Sequence, residues 1–409
     1  MVIRKPNDGK EDNMYDFDKI NDTTGTHRMK YSNPPEGAPA DTIPMWIADM
    51  DFQTLPEMIE ALKKRADHGI FGYTYLPDCY REAVAGWMER RHNWKIDPKW
   101  ITATPGIIPS LKAAVCLLTE PGDGVLVQPP VYYMFMEIIR VTGRTVVENP
   151  LLETADGYKM DLEDFEKKIV EKNIKMFILC SPHNPVSRVW TRDELKQVGE
   201  ICKKHNVTIV SDEIHHDFVY EGNEFVSVTA VDPSFKDIAI TCTAPSKTFN
   251  CAGLKTANII IGNEELRAKY GKQLKQFGLT GINALSVPAI EAAYTYGDQW
   301  VDEVVSYIYE NFQIVDRFLK EKLPKIKLRK PECLYLAWID LREQGIDDEE
   351  FYKVCLQSGV WLEAGREFGD HGKGFARLNL ACPHTTVEKA LNRIYEGVKR
   401  WEAEKEASL

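Results

Sequence analysis

Several common sequence features are absent from this chain of 409 residues, and each absence excludes a class of protein. No apolar run approaches the roughly 20 residues that a membrane-spanning helix needs. None of the nine cysteines forms a Cys-x-x-Cys pair, which excludes the usual zinc-ribbon and thioredoxin spacings. Gly-x-Gly-x-x-Gly, Walker and His-Glu-x-x-His motifs are also absent, so nicotinamide, nucleoside-triphosphate and zinc-protease functions have no support.

Positive charge is scarce as well. The 51 Lys and Arg residues stand against 62 Asp and Glu residues, which gives a formal net charge of −11. This balance disfavours a broad electrostatic surface for nucleic acid or for anionic lipid. The first residues, Met1 to Asp12, are polar and contain no apolar stretch typical of an export signal. We therefore expect a cytoplasmic protein with reduced thiols and with neither a nucleic-acid nor a membrane partner.

The composition and the apolar pattern predict a folded protein with three parts. Residues 1–52 contain many turn-forming residues and predict an N-terminal arm. Residues 53–285 alternate short β-branched runs with helix-length segments, which is typical of a mainly parallel sheet with helices on both faces. Residues 286–409 predict long helices and a strand, which indicates a smaller α+β domain. The predicted fold class is thus α/β, with a second, smaller α+β domain.

Six apolar runs are predicted to be strands, and the spacing of apolar residues between and after these runs predicts helices. The predicted strands are Val125–Val127, Thr145–Val147, Met176–Cys180, Val207–Val210, Ile238–Cys242 and Ala257–Ile261, and a seventh in the C-terminal part is Tyr335–Asp340. Predicted helices include residues 161–172, 192–205, 286–297, 300–323 and 386–403.

Three polar residues follow three successive predicted strands. They are Asn184, Asp212 and Lys247, and ligands of open α/β sheets lie beyond these carboxyl ends. Taken singly, each residue fits an ordinary turn, helix cap or solvated lysine. Taken together, they match what pyridoxal 5'-phosphate requires: a lysine for the Schiff base, a carboxylate for the pyridine nitrogen and a donor for the ring oxygen.

Seven motifs between about residues 44 and 383 carry a family resemblance. They are Pro44–Phe52, Phe71–Thr74, Gln128–Tyr133, Cys180–Val186, Ser211–His215, Ala244–Asn250 and Phe375–Pro383. In combination they resemble the fold-type-I pyridoxal-phosphate enzymes and, among them, the cystathionine β-lyase and cystalysin-like carbon–sulfur lyases. The resemblance implies the aspartate-aminotransferase fold, with the N-terminal arm joined to the small domain.

The resemblance implies cofactor roles for the matching positions. Lys247 would form the Schiff base, Asp212 would pair with the pyridine nitrogen, and Asn184 would donate to the ring oxygen. Tyr132 would stack on the ring, and its alternative is a core aromatic. His215 would support the cofactor, although a hydrogen-bonded histidine beside a strand end is an equal alternative. The implied catalytic residues are Lys247, Tyr132 and Asp212.

The phosphate group needs backbone N–H groups, and the turn before the Leu111 helix offers them at a helix N-terminus. In the family that the chain resembles, this turn holds the phosphate together with Ser246, which lies beside Lys247, and Lys255 would add charge there unless it is merely solvated. Tyr73 would reach the site from a partner subunit, so the active unit would be a homodimer. The residues implied at the phosphate are Gly106, Ile107, Ile108, Ser246, Lys255 and Tyr73.

Arg377 lies among apolar residues, where its burial is unfavourable unless it meets an anion. An intramolecular salt bridge is one solution. The resemblance implies another, in which Arg377 clamps the substrate α-carboxylate with two hydrogen bonds and the backbone at Ala48 completes the clamp. Tyr133 and Asn184 would also contact the substrate. Asp49 and Asp51 resemble an acid–base or metal pair, but no histidine or further carboxylate clusters near them, so we expect local hydrogen bonding in the loop and no metal.

The predicted reaction is α,β-elimination from L-cystathionine, L-cysteine or a related thio-amino acid to a thiol, pyruvate and ammonia, with Lys247 as general base. An aminotransferase is the alternative, because the same residues serve that reaction. A pyridoxal-phosphate-binding regulatory protein is a third hypothesis.

The chain departs from the family pattern at four positions. Ser187 and Cys333 stand where relatives typically have glycine, Leu334 where they have threonine, and Met134 where proline is common. The loss of two glycines implies altered backbone options at those loops.

Overall fold

The computed structural model describes residues 15–155 and 157–407. The helices are α1 Pro56–Asp67, α2 Asp78–His92, α3 Ile107–Leu118, α4 Tyr133–Val141, α5 Leu162–Glu171, α6 Arg192–Lys204, α7 Val228–Val231, α8 Pro245–Thr248, α9 Glu264–Gln276, α10 Ser286–Tyr296, α11 Asp298–Lys322, α12 Asp348–Gln357 and α13 His384–Ala407. The strands are β1 Ile43–Pro44, β2 Ile101–Thr104, β3 Gly124–Val127, β4 Thr145–Glu148, β5 Leu152–Thr154, β6 Gly157–Lys159, β7 Met176–Cys180, β8 Thr208–Asp212, β9 Ala239–Thr243, β10 Ala257–Ile260, β11 Lys327–Leu328, β12 Leu336–Asp340, β13 Val360–Trp361, β14 Glu363–Ala364 and β15 Phe375–Asn379. No helix in the described ranges is long and apolar enough to cross a membrane.

A seven-stranded sheet with the order β2-β10-β9-β8-β7-β3-β4 occupies the middle of the chain. The five strands from β9 to β4 are parallel, and β10 is antiparallel to both of its neighbours. All six strands predicted for this region are present, with ends shifted by at most two residues. The sequence pattern missed β2, because Ile-Thr-Ala-Thr lacks the continuous apolar run that marks the other strands.

Helices cover both faces of this sheet because its central strands are apolar on both sides. Along β7, Met176 and Ile178 pack in the core formed with α3, α4 and α9. Phe177 and Leu179 point to the opposite core, formed with α5 and α6. This alternation follows from the two-residue period of a strand. The carboxyl ends of β7, β8 and β9 therefore open at one edge, between two packed layers.

A second, four-stranded antiparallel sheet has the order β11-β12-β15-β14 and packs with α11 and α12. The N-terminal segment reaches this region through β1, which pairs in parallel with β13. The predicted strand at Tyr335–Asp340 corresponds to β12, and the predicted C-terminal helix corresponds to α13. The boundaries at 52/53 and 285/286 remain predictions.

Candidate active site

A cavity of about 520 Å³ lies at the carboxyl ends of β7, β8 and β9, next to β15. Twelve of the fourteen predicted site residues line it: Ala48, Ile107, Ile108, Tyr132, Tyr133, Asn184, Asp212, His215, Ser246, Lys247, Lys255 and Arg377. Gly106 directly precedes the lining residue Ile107. Tyr73 lies elsewhere.

Lys247 is carried by α8, which begins with Pro245 directly after β9. Its Nζ donates a hydrogen bond to the carbonyl oxygen of Ala48. Burial lowers the pKa of the Lys247 amine, an effect that Asp49 opposes and Arg377 reinforces. A lowered pKa increases the fraction of neutral amine near neutral pH, which is the form that acts as a nucleophile or a base.

Asp212 is the last residue of β8, and its side chain is buried. One oxygen accepts a hydrogen bond from the N–H of Ile214 at 3.1 Å. Burial raises the pKa of the Asp212 carboxyl to about 7, although the Ile214 N–H and the Lys247 charge both oppose this rise. Because these two interactions offset only part of the cost of burying the charged form, the Asp212 carboxyl is suited to bind a cationic partner inside the cavity.

Two buried nitrogen atoms of the lining have no hydrogen-bond partner in the described part of the chain. They are His215 Nδ1 and Arg377 Nε. Burial, together with the charges of Lys247 and Arg377, holds the pKa of His215 well below its usual range, so the imidazole is neutral. Of the two sequence interpretations of His215, the unpartnered Nδ1 favours the residue that supports a cofactor over the hydrogen-bonded structural residue. Unsatisfied buried nitrogens at one cavity indicate a place for a polar ligand.

The N-terminus of α3 forms the anion-binding part of the lining. Gly106 precedes the helix with φ 141°, a backbone angle that favours glycine, and no side chain caps the helix. The free N–H groups of the first turn therefore remain available at Ile107 and Ile108. Ser246 and Lys255 line the same cavity.

Tyr132 and Tyr133 stand at the start of α4. Their rings meet edge-to-face with centroids 5.1 Å apart, and the Tyr132 N–H donates to the Asn184 carbonyl at 3.1 Å. Burial raises the pKa of Tyr132, so its hydroxyl keeps its proton. Tyr133 is more exposed, at 36%.

Arg377 lies in the middle of β15, and its side chain is 3% exposed. Its Nη1 donates to Asn184 Oδ1 at 2.9 Å, and its Nη2 donates to the Trp46 carbonyl at 3.0 Å. Nη2 also donates to the Glu363 carboxylate. The intramolecular salt bridge that the sequence offered as one solution for Arg377 is therefore present, and it uses a guanidinium group that lines the cavity.

Sequence reasoning missed Glu363 and Trp46, which both line the cavity. Glu363 stands directly opposite Arg377 in the pairing of β14 with β15. A two-residue strand gives no periodic signal, so only this cross-strand register identifies Glu363.

Tyr73 is fully exposed in the segment between α1 and α2, and Ile70, Phe71 and Tyr75 of the same segment are also exposed.

Asp49 and Asp51 form ion pairs with Arg28 at 3.0 and 3.3 Å, and Asp51 also pairs with the buried Lys30 at 2.9 Å. The two aspartates thus pair with cations that lie 21 to 23 residues earlier in the chain, rather than through bonds within their own loop.

One further group in the described ranges has metal-ligand chemistry: His92, His216 and Asp217. Its carboxylate already accepts hydrogen bonds from His92, Trp87 and Thr248, and it pairs with His216 at 3.2 Å. These four partners use the acceptor positions that a metal would need. Because Thr248 follows Lys247, this buried carboxylate instead fixes the turn that carries the lysine.

Comparison with known proteins agrees with this geometry. The family model for aminotransferase class I and II matches residues 40–394. Cystathionine beta-lyase PatB of Bacillus subtilis is 45% identical over 92% of this chain and 98% of its own. The crystal structure of cystalysin from Treponema denticola, which contains a pyridoxal 5'-phosphate cofactor, superposes with a TM-score of 0.91 at 37% identity, covering 95% of this chain and all of that one.

The pyridoxal-phosphate-bound carbon–sulfur lyase of Staphylococcus hominis superposes with a TM-score of 0.88 at 33% identity, covering 94% of this chain and 98% of that chain. These similarities confirm the fold predicted from the sequence. The chain belongs to the aminotransferase class I and II family.

Proposed function

We propose that this protein is a pyridoxal-phosphate-dependent carbon–sulfur lyase that converts L-cystathionine, L-cysteine or a related thio-amino acid to a thiol, pyruvate and ammonia. The observation that carries the proposal is the meeting of Lys247, Asp212, Asn184 and Arg377 in one cavity. Sequence identity of 45% to a cystathionine β-lyase over nearly the whole chain selects this chemistry within the family.

The residues of the cavity fit pyridoxal phosphate. Lys247 would hold its aldehyde carbon, and the buried Asp212 carboxylate would pair with its ring nitrogen. The uncapped N-terminus of α3, with Ser246 and Lys255, would hold the phosphate. Asn184 and Tyr132 would bind the ring oxygen and the ring face. His215, with its unpartnered Nδ1, would complete the polar environment.

When bound, pyridoxal phosphate withdraws electrons from the substrate α-carbon, which acidifies its proton and lets the β-sulfur leave. Lys247 would take that proton, because burial lowers the pKa of its amine and favours the neutral base. Arg377 would hold the substrate carboxylate, which fixes the α-carbon next to Lys247. The carbonyl of Ala48, already an acceptor for Lys247 and for Tyr335 at 3.2 Å, would steer the amine.

A homodimer is part of the proposal. Tyr73 does not reach the cavity of its own chain and stands in an exposed apolar segment. In the proposed dimer this segment packs on the partner, and Tyr73 contacts the partner's phosphate group. We also propose that the enzyme acts in the cytoplasm, where its nine unpaired cysteines would stay reduced.

The test incubates the purified protein with pyridoxal phosphate and L-cystathionine and measures pyruvate and free thiol, with and without a 2-oxo acid. Equal amounts of pyruvate and thiol without the 2-oxo acid are expected. Turnover only in its presence would identify an aminotransferase instead. Cofactor binding without turnover of any amino acid would favour the regulatory hypothesis.

A further inference from the structure

We propose that Glu363 is a resident anion that an incoming substrate carboxylate must displace from Arg377, so that Glu363 sets the affinity of the site and its dependence on pH. The inference rests on the carboxylate-binding role proposed for Arg377. It adds a specificity-determining residue that the sequence motifs do not contain.

The hydrogen bonds of Arg377 carry the first step. A guanidinium group has five N–H donors, and each fork that can hold a carboxylate with two parallel bonds includes one hydrogen of Nη2. Both Nη2 hydrogens are used, one by the Trp46 carbonyl and one by Glu363. A bidentate clamp on a substrate therefore requires one of these two acceptors to leave.

Glu363 is the acceptor that can move. The Trp46 carbonyl belongs to a main chain fixed by the neighbouring pairing of β1 with β13, and the Trp46 ring stacks on Trp361 with centroids 4.4 Å apart. The Glu363 carboxylate, in contrast, ends a flexible side chain that is 13% exposed and lines the cavity. Release of Glu363 would leave Nη2 beside the unpartnered Nε, and together these two nitrogens form one carboxylate fork.

The charges around Glu363 determine the consequence of its release. Arg377 on β15 and Lys247 on α8 stabilise the carboxylate, whereas Glu367 opposes it, and the neutral rings of Tyr132 and Tyr133 on α4 complete its surroundings. Burial already raises the pKa of Glu363 although Arg377 holds it. Without that cation the group favours the protonated form even more.

Anion binding at Arg377 is therefore linked to proton uptake by Glu363. The affinity should be low and constant at high pH. Glu363 has a higher pKa when the anion is bound at Arg377 than when the site is free. As the pH falls from the higher to the lower of these two values, the affinity for the anion should increase about tenfold per pH unit, and below the lower value it should level off.

The experiment uses the cofactor-loaded enzyme and the probe 3-(methylthio)propionate, which has the carboxylate and the thioether but no amine. Titration calorimetry in two buffers of different ionisation enthalpy measures the dissociation constant and the number of protons taken up at pH 6, 7 and 8. The wild type should take up part of one proton. Glu363→Gln should bind about tenfold more tightly at pH 8 and take up none.

Two controls isolate the exchange. Glu367→Gln removes the exposed neighbouring charge that opposes the Glu363 carboxylate, so this variant should keep the linked proton uptake but show it at lower pH. The amide 3-(methylthio)propionamide lacks the anionic charge and should bind without proton uptake. If wild-type affinity for the carboxylate does not vary with pH, or Glu363→Gln keeps the proton uptake, the proposal is wrong. The wild-type measurement alone decides this if the variant does not fold.

This experiment separates the inference from the proposed function. The probe cannot undergo elimination, so its binding and proton uptake do not depend on lyase turnover. Pyruvate release without the linked protonation would refute only the role of Glu363. Linked protonation without pyruvate release would refute only the lyase reaction.

Discussion

Replacement of Asp212 by asparagine should make the cofactor-free protein more stable at alkaline pH. Burial raises the pKa of this carboxyl from its ordinary value of 3.8 to about 7. Between these values the unfolded chain releases the proton while the folded protein keeps it, so stability falls as the pH rises and is constant above about pH 7. The whole shift corresponds to about 4 kcal/mol, of which about 3 kcal/mol falls between pH 5 and pH 8.

The assay is urea denaturation of cofactor-free wild type and Asp212→Asn at pH 5 and pH 8. The stability of the variant relative to the wild type should increase by up to about 3 kcal/mol between the two pH values. Pyridoxal phosphate should reduce this pH-dependent difference, because a cationic ring nitrogen stabilises the wild-type carboxylate and asparagine cannot pair with it as an ion.

Glu213→Gln is the matched control. Burial also raises the pKa of Glu213 to about 7, but its oxygen bonds to Ser211, Ser227 and the Val228 N–H, away from the cavity. Its substitution should change the pH slope in the same direction with or without the cofactor. If Asp212→Asn and the wild type show the same pH slope without cofactor, the reasoning about desolvation of Asp212 is wrong.

Three further predictions address catalysis, recognition and the backbone. Lys247→Ala should abolish the visible absorbance of lysine-bound cofactor and lower pyruvate release by at least about 10²-fold, the lower end for general-base catalysis; an unchanged rate would exclude Lys247 as the base. Arg377→Lys should raise KM by a factor about ten times larger than the factor by which it lowers kcat, because lysine keeps the charge but cannot form two parallel hydrogen bonds to a carboxylate. An unchanged KM across amino-acid substrates would contradict the proposed binding of the substrate carboxylate by Arg377. Ser187→Ala should lower the free energy of unfolding in urea by about 1–3 kcal/mol by removing its hydroxyl bonds to the Cys333 main chain. Ser187→Gly should lose less, because glycine relieves the left-handed backbone at φ 58°; equal losses would contradict the strain argument.

The sequence predicted the part of the site that is built on continuous strands. The runs that became β7, β8 and β9 are apolar on both faces, and a polar residue follows each of them, so Asn184, Asp212 and Lys247 were identified from local pattern alone. The helix N-terminus at Gly106 was recognised in the same way. These features depend on residues close together in the chain.

Contacts between distant segments were beyond the sequence pattern. Trp46 and Glu363 reach Arg377 because β1 pairs with β13 and β14 pairs with β15, and strands of two residues carry no periodic signal. The same limit applies to Asp217, whose partners Trp87 and His92 come from α2 and whose partner Thr248 comes from α8.

The effect of the departures at Ser187, Cys333 and Leu334 could be predicted only in part from the sequence. The sequence indicated that Ser187 and the pair Cys333 and Leu334 change the backbone options of two loops. The structure joins the loops: the Cys333 N–H donates to Ser187 Oγ at 3.3 Å, and the Ser187 hydroxyl donates to the Cys333 carbonyl. Ser187 and Leu334 both have a left-handed backbone, at φ 58° and 66°. The side-chain bonds of Ser187 therefore offset a conformation that glycine would adopt without strain.

The buried charges of the cavity lead to one last consequence. Asp212 and Glu363 are both desolvated carboxyls with raised pKa values, and they face the two cations Lys247 and Arg377. As the site fills, Asp212 gains a positive partner in the proposed cofactor, whereas Glu363 loses its partner to the substrate. The pKa of the first carboxyl should therefore fall and that of the second should rise. Alkaline pH should favour the ionised form of Asp212 that holds the cofactor, acidic pH should favour the release of Arg377 that admits the substrate, and saturation of both should be greatest between these limits.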